Sequence, residues 1–338
     1  MSRVWTRLRR GTEEASESYE DLRAELDRLT EANRAQPDRT TERRLMSLRH
    51  RAGMRLVEAA GDDPRHAAPD FDRLPDGDGL PELSPEGLTP GIVRAGILRD
   101  GCVLIRGLVE RDRALRFAEE IDRAFAVRDR LGEGAPAEEG YYEEFTPDAR
   151  YNVDVRPWVQ AVGGVLAADS PMLAFEMHEM FARAGLPQLV ADYLGEPGMI
   201  SVHKTTLRKA DPSVSGAWHQ DGAFMGDVRA LNLWLSLSRC GDESPGLDIV
   251  PRRLDHIVAT GTEGTTVGFA VSQEMAEEAA GDVPIVRPIF EPGDALLFDD
   301  LFLHQTGSDP SMPKPRYAIE NWFFGGSSFP GDYAPLAV

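Results

Sequence analysis

The spacing of apolar residues changes character along the chain, and each change marks an element. Tyr19, Leu22, Leu26 and Leu29 follow helical spacing, and Leu45, Leu48, Ala52 and Leu56 do so again after Pro37. Residues 1–68 are therefore predicted to be a helical extension, folded into a hairpin about Asn33–Asp38. Its apolar stripes are narrow and its other faces charged, so the hairpin either packs on the rest of the chain or pairs two subunits into a homodimer. Residues 69–83 are rich in Pro, Gly and Asp and form a linker without periodicity. The main domain is expected over 84–338.

Within it, a helix is predicted through Ile92 to Leu98 and a glycine-bounded strand over 101–107. An amphipathic helix follows over 111–126, with Leu115, Ala118, Ile121 and Phe125 on one face. Residues 171–194 read as helices broken near Gly185-Leu186-Pro187. From Met199 the period shortens, giving strands near 199–209, 231–238, 247–250, 283–287, 295–298 and 317–324. Many short strands separated by Gly and Pro indicate a sandwich or jelly roll. The predicted fold is mainly β with flanking helices. Residues 259–281 interrupt the strands, and this insertion is expected on the surface.

Composition narrows the function classes. No apolar run in the 338 residues approaches the ~18 of a membrane span. The basic start, Met1 to Arg10, lacks the apolar segment of a secretion signal. Cys102 and Cys240 are the only cysteines, too few for a disulfide framework, so a reducing cytoplasm is expected. With 37 basic and 57 acidic residues the net charge is −20, which argues against nucleic acid or an anionic membrane as partner. A small-molecule substrate remains.

The chemistry concentrates in Trp218-His219-Gln220-Asp221-Gly222. On an extended strand His219 and Asp221 face the same way. With His304 far downstream they make two histidines and one carboxylate, the facial triad of non-haem Fe(II) oxygenases, which leaves positions open for substrates. Arg316 opens an apolar, β-rich run that ends at Phe324. A buried arginine needs an anion, and its fork suits a carboxylate. A metal triad followed by a strand arginine is what a 2-oxoglutarate site requires. The same triad also binds zinc in hydrolases, but a hydrolase has no use for the arginine clamp.

The blocks Ala217–Gly222, Leu231–Leu237, Pro245–Pro251, Gly293–Phe298 and His304-Gln305-Thr306-Gly307, followed by Arg316, resemble the phytanoyl-CoA dioxygenase family of Fe(II)/2-oxoglutarate oxygenases. The resemblance implies a double-stranded β-helix, with Fe(II) on His219, Asp221 and His304. It implies that 2-oxoglutarate pairs with Arg316 beside the Thr306 hydroxyl, that Trp234 walls its pocket, and that Lys204 helps hold cosubstrate or substrate. With O2 the products are succinate, CO2 and an oxidised substrate. The metal carboxylate Asp221 favours hydroxylation over halide transfer. Where the family usually has Gly-Ser-His after the Val-Pro pair, this chain has Arg252-Arg253-Leu254-Asp255-His256. Arg252 and His256 are therefore candidate substrate residues, as are the loop aromatics Tyr141, Tyr142 and Phe145. These features favour a small or medium specialised metabolite over a phytanoyl-CoA-type acyl thioester. A catalytically silent ligand-binding protein on the same fold is the competing class. Lys204 and its neighbour His203 are expected to face opposite ways. Asp299-Asp300 is expected to form a turn, His178 to be structural, and His50 and His66 to lie outside the site.

Overall fold

In the computed structural model, which describes residues 17–76, 80–134, 138–214, 216–226, 228–263, 265 and 267–338, the hairpin is present as α1 (Tyr19–Ala35) and α2 (Arg39–Glu58). The basic start read above as lacking a secretion signal lies outside the described residues. Ser18 and Asp21 form a reciprocal capping box at α1, and Asp38 caps α2 through the Thr41 amide, satisfying donors that a helix start leaves open. Leu22, Leu26, Leu29, Leu45, Leu48 and Ala52 are all buried with Ala337, so the stripes are covered within the chain itself.

The chain continues through β1 (Glu82–Leu83), α3 (Pro90–Asp100), β2 (Cys102–Ile105), α4 (Arg111–Gly132), α5 (Arg156–Ala161), β3 (Gly164–Leu166), α6 (Pro171–Arg183) and α7 (Leu186–Leu194). It then runs through β4 (Gly198–Ser201), β5 (Thr205–Ala210), α8 (Gly222–Met225), β6 (Ala230–Ser236), β7 (Gly246–Ile249), α9 (Gln273–Ala280), β8 (Ala295–Phe298), β9 (His304–Gly307), β10 (Arg316–Gly325) and β11 (Pro335–Ala337). Helices take 40% of the described residues and strands 18%. The mainly β expectation is thus corrected to a mixed helix/sheet fold with a sheet core. The strands were legible but short, and long helices cover one face of the sheet they build.

The large sheet runs β1-β2-β8-β6-β10, and β10 then pairs with β5 near its start and β4 near its end. β7 and β9 form a separate antiparallel pair. Alternation along β6 sorts the two layers. Leu231, Leu233 and Leu235 pack with Ile97, Phe117, Ile121, Phe181 and Leu186 of the helices. Trp234 turns to the other face and packs with Leu247, Ile249 and Phe290. Both faces are therefore buried, which explains the nearly continuous apolar sequence of β6. Asn232 and Ser236 are its polar residues, and Asn232 lies on the inner face.

The predicted 283–287 strand is reduced to one bridge, Ile249 to Val286. The strand expected over 199–209 is broken by a 3-10 turn at Val202–Lys204. That turn interrupts side-chain alternation, so His203 and Lys204 do not face opposite ways but border the same cavity. His50 is a structural clamp. Its Nδ1–H donates to the Pro335 carbonyl at 2.8 Å, and its Nε2 accepts the Asp148 amide at 3.0 Å. α2 is thereby tied to both the carboxyl-terminal strand and the 141–151 loop. His178 is buried with both ring nitrogens unpartnered.

Burial lowers the pKa of His50 and of His178. Between the depressed folded values and the ordinary ~6.5, the unfolded chain binds more protons, so stability rises with pH. This contribution is present above pH ~6.5 and is lost as pH falls. His50→Ala should cost about 1–3 kcal/mol at pH 7.5 and flatten the pH dependence of denaturant unfolding between pH 7.5 and 5.5. An unchanged pH slope in the variant would show that His50 is not held neutral.

Candidate active site

The local fold at Trp218–Gly222 is more specific than an extended strand. His219 pairs with His304 across an antiparallel bridge, His219 N donating to His304 O at 2.9 Å and His304 N to His219 O at 3.1 Å. Gln220 points away, fully buried. Its amide donates to the His256 and Leu301 carbonyls and its oxygen accepts the Val258 amide. By Asp221 the backbone has turned helical, at φ −67° and ψ −26°, and α8 begins. The expectation that strand alternation alone aligns His219 and Asp221 is therefore corrected; a strand end followed by a helical turn aligns them. Gly222 allows that turn, since a Cβ there would lie 2.8 Å from Asp300 Oδ2 and 3.0 Å from Ile257 Cδ1.

Among the described residues, one group of histidine, cysteine and acidic side chains converges with metal-binding geometry: His219, Asp221 and His304, their ligand atoms within 4.8 Å of one another. His219 Nε2 lies 3.6 Å from Asp221 Oδ1. Each ligand is oriented from behind. His219 Nδ1–H donates to Ala217 O at 2.8 Å and His304 Nδ1–H to Phe302 O at 3.1 Å, so both Nε2 lone pairs face the cluster. Asn232 Nδ2 donates to Asp221 Oδ2 at 3.2 Å and leaves Oδ1 toward His219. Burial, with His219 adjacent, pushes His304 down to about 4, so it is neutral and ready to ligate near pH 7.

Arg316 is 1% exposed at the start of β10. Nη1 donates to Gly246 O at 3.2 Å and Nη2 reaches Glu320 Oε1 at 3.4 Å, but Nε has no partner. The guanidinium carbon is 5.2 Å from the Trp234 ring centroid, and the Trp234 indole N–H is likewise buried and unpartnered. Two neighbouring buried donors without acceptors are costly, about 1–3 kcal/mol each, and an anionic acceptor between the strands would relieve that cost. Burial acts to raise Glu320, but Arg208 and Arg316 more than offset it and hold the carboxylate below its ordinary range. Thr306 shares the His304 face of β9 by strand alternation.

The substrate residues expected from sequence fare less well. Tyr141 is buried with its hydroxyl on Glu120, Tyr142 is buried with its hydroxyl accepting from Gln160, and Phe145 packs edge-on against His50. All three find these partners within the fold, on α4, α5 and α2. Arg252 is exposed and donates to Ala280 O at the end of α9; His256 is exposed and pairs with Asp255. Neither reaches the cluster, although the His256 carbonyl helps anchor Gln220. Asp299 and Asp300 do form a turn, and Asp299 pairs with Arg253.

Two aromatic residues were missed. Phe224 of α8 stacks on His219 at 6.5 Å, and Phe269 meets His219 edge-on at 6.1 Å. Phe269 belongs to the insertion expected on the surface. That segment folds back through the Val271–Trp218 bridge, although much of it remains exposed. The usable signals were Phe224 so soon after Asp221, and, for the Asp221 partner, the polar Asn232 inside an apolar strand.

A two-histidine, one-carboxylate donor set beside a buried, unsatisfied arginine has the ligand chemistry of non-haem iron oxygenases that use a 2-oxo acid. The chain belongs to the phytanoyl-CoA dioxygenase (PhyH) family, whose model matches residues 97–316. Its cofactor is Fe(II) and its cosubstrates are 2-oxoglutarate and O2. No curated protein matches the chain. Among solved structures it is similar to EctD from S. alaskensis with 2-oxoglutarate and 5-hydroxyectoine, at 20% identity and a TM-score of 0.48, covering 78% of this chain and 87% of that one. It is also similar to SnoN, a non-heme alpha ketoglutarate dependent epimerase from nogalamycin biosynthesis, at 16% identity and a TM-score of 0.42, covering 70% and 82%. AviO1 from Streptomyces viridochromogenes gives 19% identity and a TM-score of 0.41, covering 72% and 98%. The family assignment rests on the sequence match.

His304→Ala should lower Fe(II) affinity by roughly 100-fold or more, and Asn232→Ala, which frees only the rear oxygen of Asp221, by roughly 10–100-fold. Anaerobic Fe(II) titration measures both. Wild-type affinity in His304→Ala would remove His304 from the metal site.

Proposed function

We propose that the protein is an oxygenase that hydroxylates a small or medium-sized metabolite, with the large sheet and the β7–β9 pair as the two walls of a jelly roll. His219, Asp221 and His304 would hold Fe(II), with His219 Nε2 and Asp221 Oδ1 already facing each other. The observation that carries this reading is the convergence of those three side chains, each oriented from behind, beside the unsatisfied donors of Arg316 and Trp234. Fe(II) supplies the activation of O2 against the 2-oxo acid, which leaves as succinate and CO2 while the substrate is oxidised.

The protein contributes orientation and a dry lining. Arg316 takes the distal carboxylate of 2-oxoglutarate, and its permanent charge needs no proton transfer on binding. Trp234 forms the wall beside it, and Thr306 offers a hydroxyl from the His304 strand. Glu320 bridges Arg208 and Arg316, offsetting part of their charge without occupying the Arg316 Nε. Phe224 and Phe269 shield His219 and narrow the approach. No helix among the described residues is long and apolar enough to cross a membrane. The homodimer expected through α1 and α2 would have to use their charged outer faces, because their leucines are covered.

Succinate formed from 2-oxoglutarate by the Fe(II) protein is the direct test. Arg316→Met should raise the 2-oxoglutarate concentration for half-maximal turnover by roughly 10–100-fold, the weight of losing a charged hydrogen-bond partner, and leave Fe(II) affinity unchanged. Equal 2-oxoglutarate dependence in Arg316→Met and wild type would contradict the assigned clamp.

A further inference from the structure

A cavity of about 360 Å³ lies between residues 150–155 and the segment carrying Asp332 and Tyr333, with Lys204 in its wall. Lys204 links this space to the ligand cluster. Its Nζ is 4.2 Å from the Phe224 ring centroid, and Phe224 in turn stacks on His219. The ammonium also lies within electrostatic reach of Asp221, Glu320 and Asp332. Tyr333 lines the same side, its ring centroid 5.7 Å from Nζ, stacked on His203. His203 adds no charge: its Nε2–H donates to Asn152 O, its Nδ1 accepts the Ala334 amide, and burial lowers its pKa.

Three charges around the cavity are uncommitted among the described residues. Lys204 Nζ has no hydrogen bond or ion pair, and neither do the side-chain carboxylates of Asp154 and Asp332. Arg150, in the same wall, is already paired with Asp148 and Glu58. The scaffold therefore holds a cation at the inner end and two acids at the exposed rim, with no hydrogen bond or ion pair between them among the described residues. A singly charged ligand meets attraction at one end and mismatch at the other; a ligand charged at both ends satisfies both. A multiply phosphorylated thioester carrier fits poorly, since it would meet one free cation and two free acids.

We propose that this cavity receives the primary substrate, and that the substrate is a small dipolar molecule with an anionic group on Lys204 and a cationic group at Asp154 and Asp332. The inference rests on the oxygenase reading and adds a substrate class to it. It assigns Lys204 to the substrate and leaves the cosubstrate to Arg316. The aromatic face of Tyr333 flanks the intervening hydrocarbon.

The test is anaerobic calorimetric titration of the Fe(II)·2-oxoglutarate protein with 6-aminohexanoate, hexanoate, hexylamine and hexan-1-ol, which share a chain and differ in charge. The aminohexanoate should bind at least about 10-fold tighter than each of the others, a difference set by one satisfied charge. Lys204→Met should bring it to the affinity of hexylamine, and Asp332→Asn should weaken it several-fold (about 3–10-fold). Both variants should bind 2-oxoglutarate within about 2-fold of wild type, less than the loss of one hydrogen bond would produce. Equal binding of the neutral or singly charged probes, no binding by any probe, or loss of 2-oxoglutarate binding in Lys204→Met would each overturn the proposal. Failure of the wild-type Fe(II) protein to bind 2-oxoglutarate would instead contradict the oxygenase reading, so the two failures are distinguishable.

Discussion

The site depends on one reciprocal pair of backbone hydrogen bonds, His219 N to His304 O and His304 N to His219 O. These bonds join two segments far apart in sequence and bring their imidazoles to a centroid separation of 4.4 Å. Everything else at the cluster refines that juxtaposition. Gln220 pins the strand end through three hydrogen bonds, so the chain can turn at Asp221 and deliver a carboxylate to the same point. The carbonyls of Ala217 and Phe302 set the imidazole tautomers, and Asn232 sets the carboxylate. A ligand set held this way pays little ordering entropy when metal arrives.

The second constraint is charge kept out of water. β10 places Arg316, Ala318, Glu320 and Trp322 on one face, opposite to Ile319 and Phe323, which pack into the helix-covered core. Two of the four inner residues are charged, and they balance each other only in part. The unsatisfied edge of Arg316 is thus built into the sheet rather than left by a loose loop. The same strand stabilises the core on one face and keeps binding capacity on the other. Nearby, Phe224 lies between His219 of the cluster and Lys204, which lines the adjoining cavity.

Much of this was legible in the sequence because it resides in residue chemistry and short-range spacing. His219, Asp221 and His304 are the ligand types the chemistry needs, and Arg316 stands out as a charge opening an apolar strand. The helical hairpin and the strands at 230–236, 295–298 and 316–325 follow from periodicity. What stayed hidden depends on tertiary contact. The 3-10 turn at Val202–Lys204 cancels the alternation that would have separated His203 from Lys204. The aromatic residues at 141–145 looked like a pocket lining, yet their hydroxyls and rings find partners on α4, α5 and α2. Phe269 reaches His219 only because a β-bridge at Val271 folds the insertion inward, and no local pattern announces such a bridge. The cavity is assembled from residues near 150, 204 and 332, a combination that only the folded chain displays. The share of helix was underestimated for a related reason: strand signals were numerous, but each strand is short.

The most direct measurement of the central claim is the fate of isotopic oxygen. Turnover of the Fe(II) protein with 2-oxoglutarate under ¹⁸O2 should give succinate carrying one labelled oxygen atom, formed with CO2 and lost in His304→Ala. Unlabelled succinate, or labelling that persists without His304, would contradict the account of His219, Asp221 and His304 as the site of oxygen chemistry.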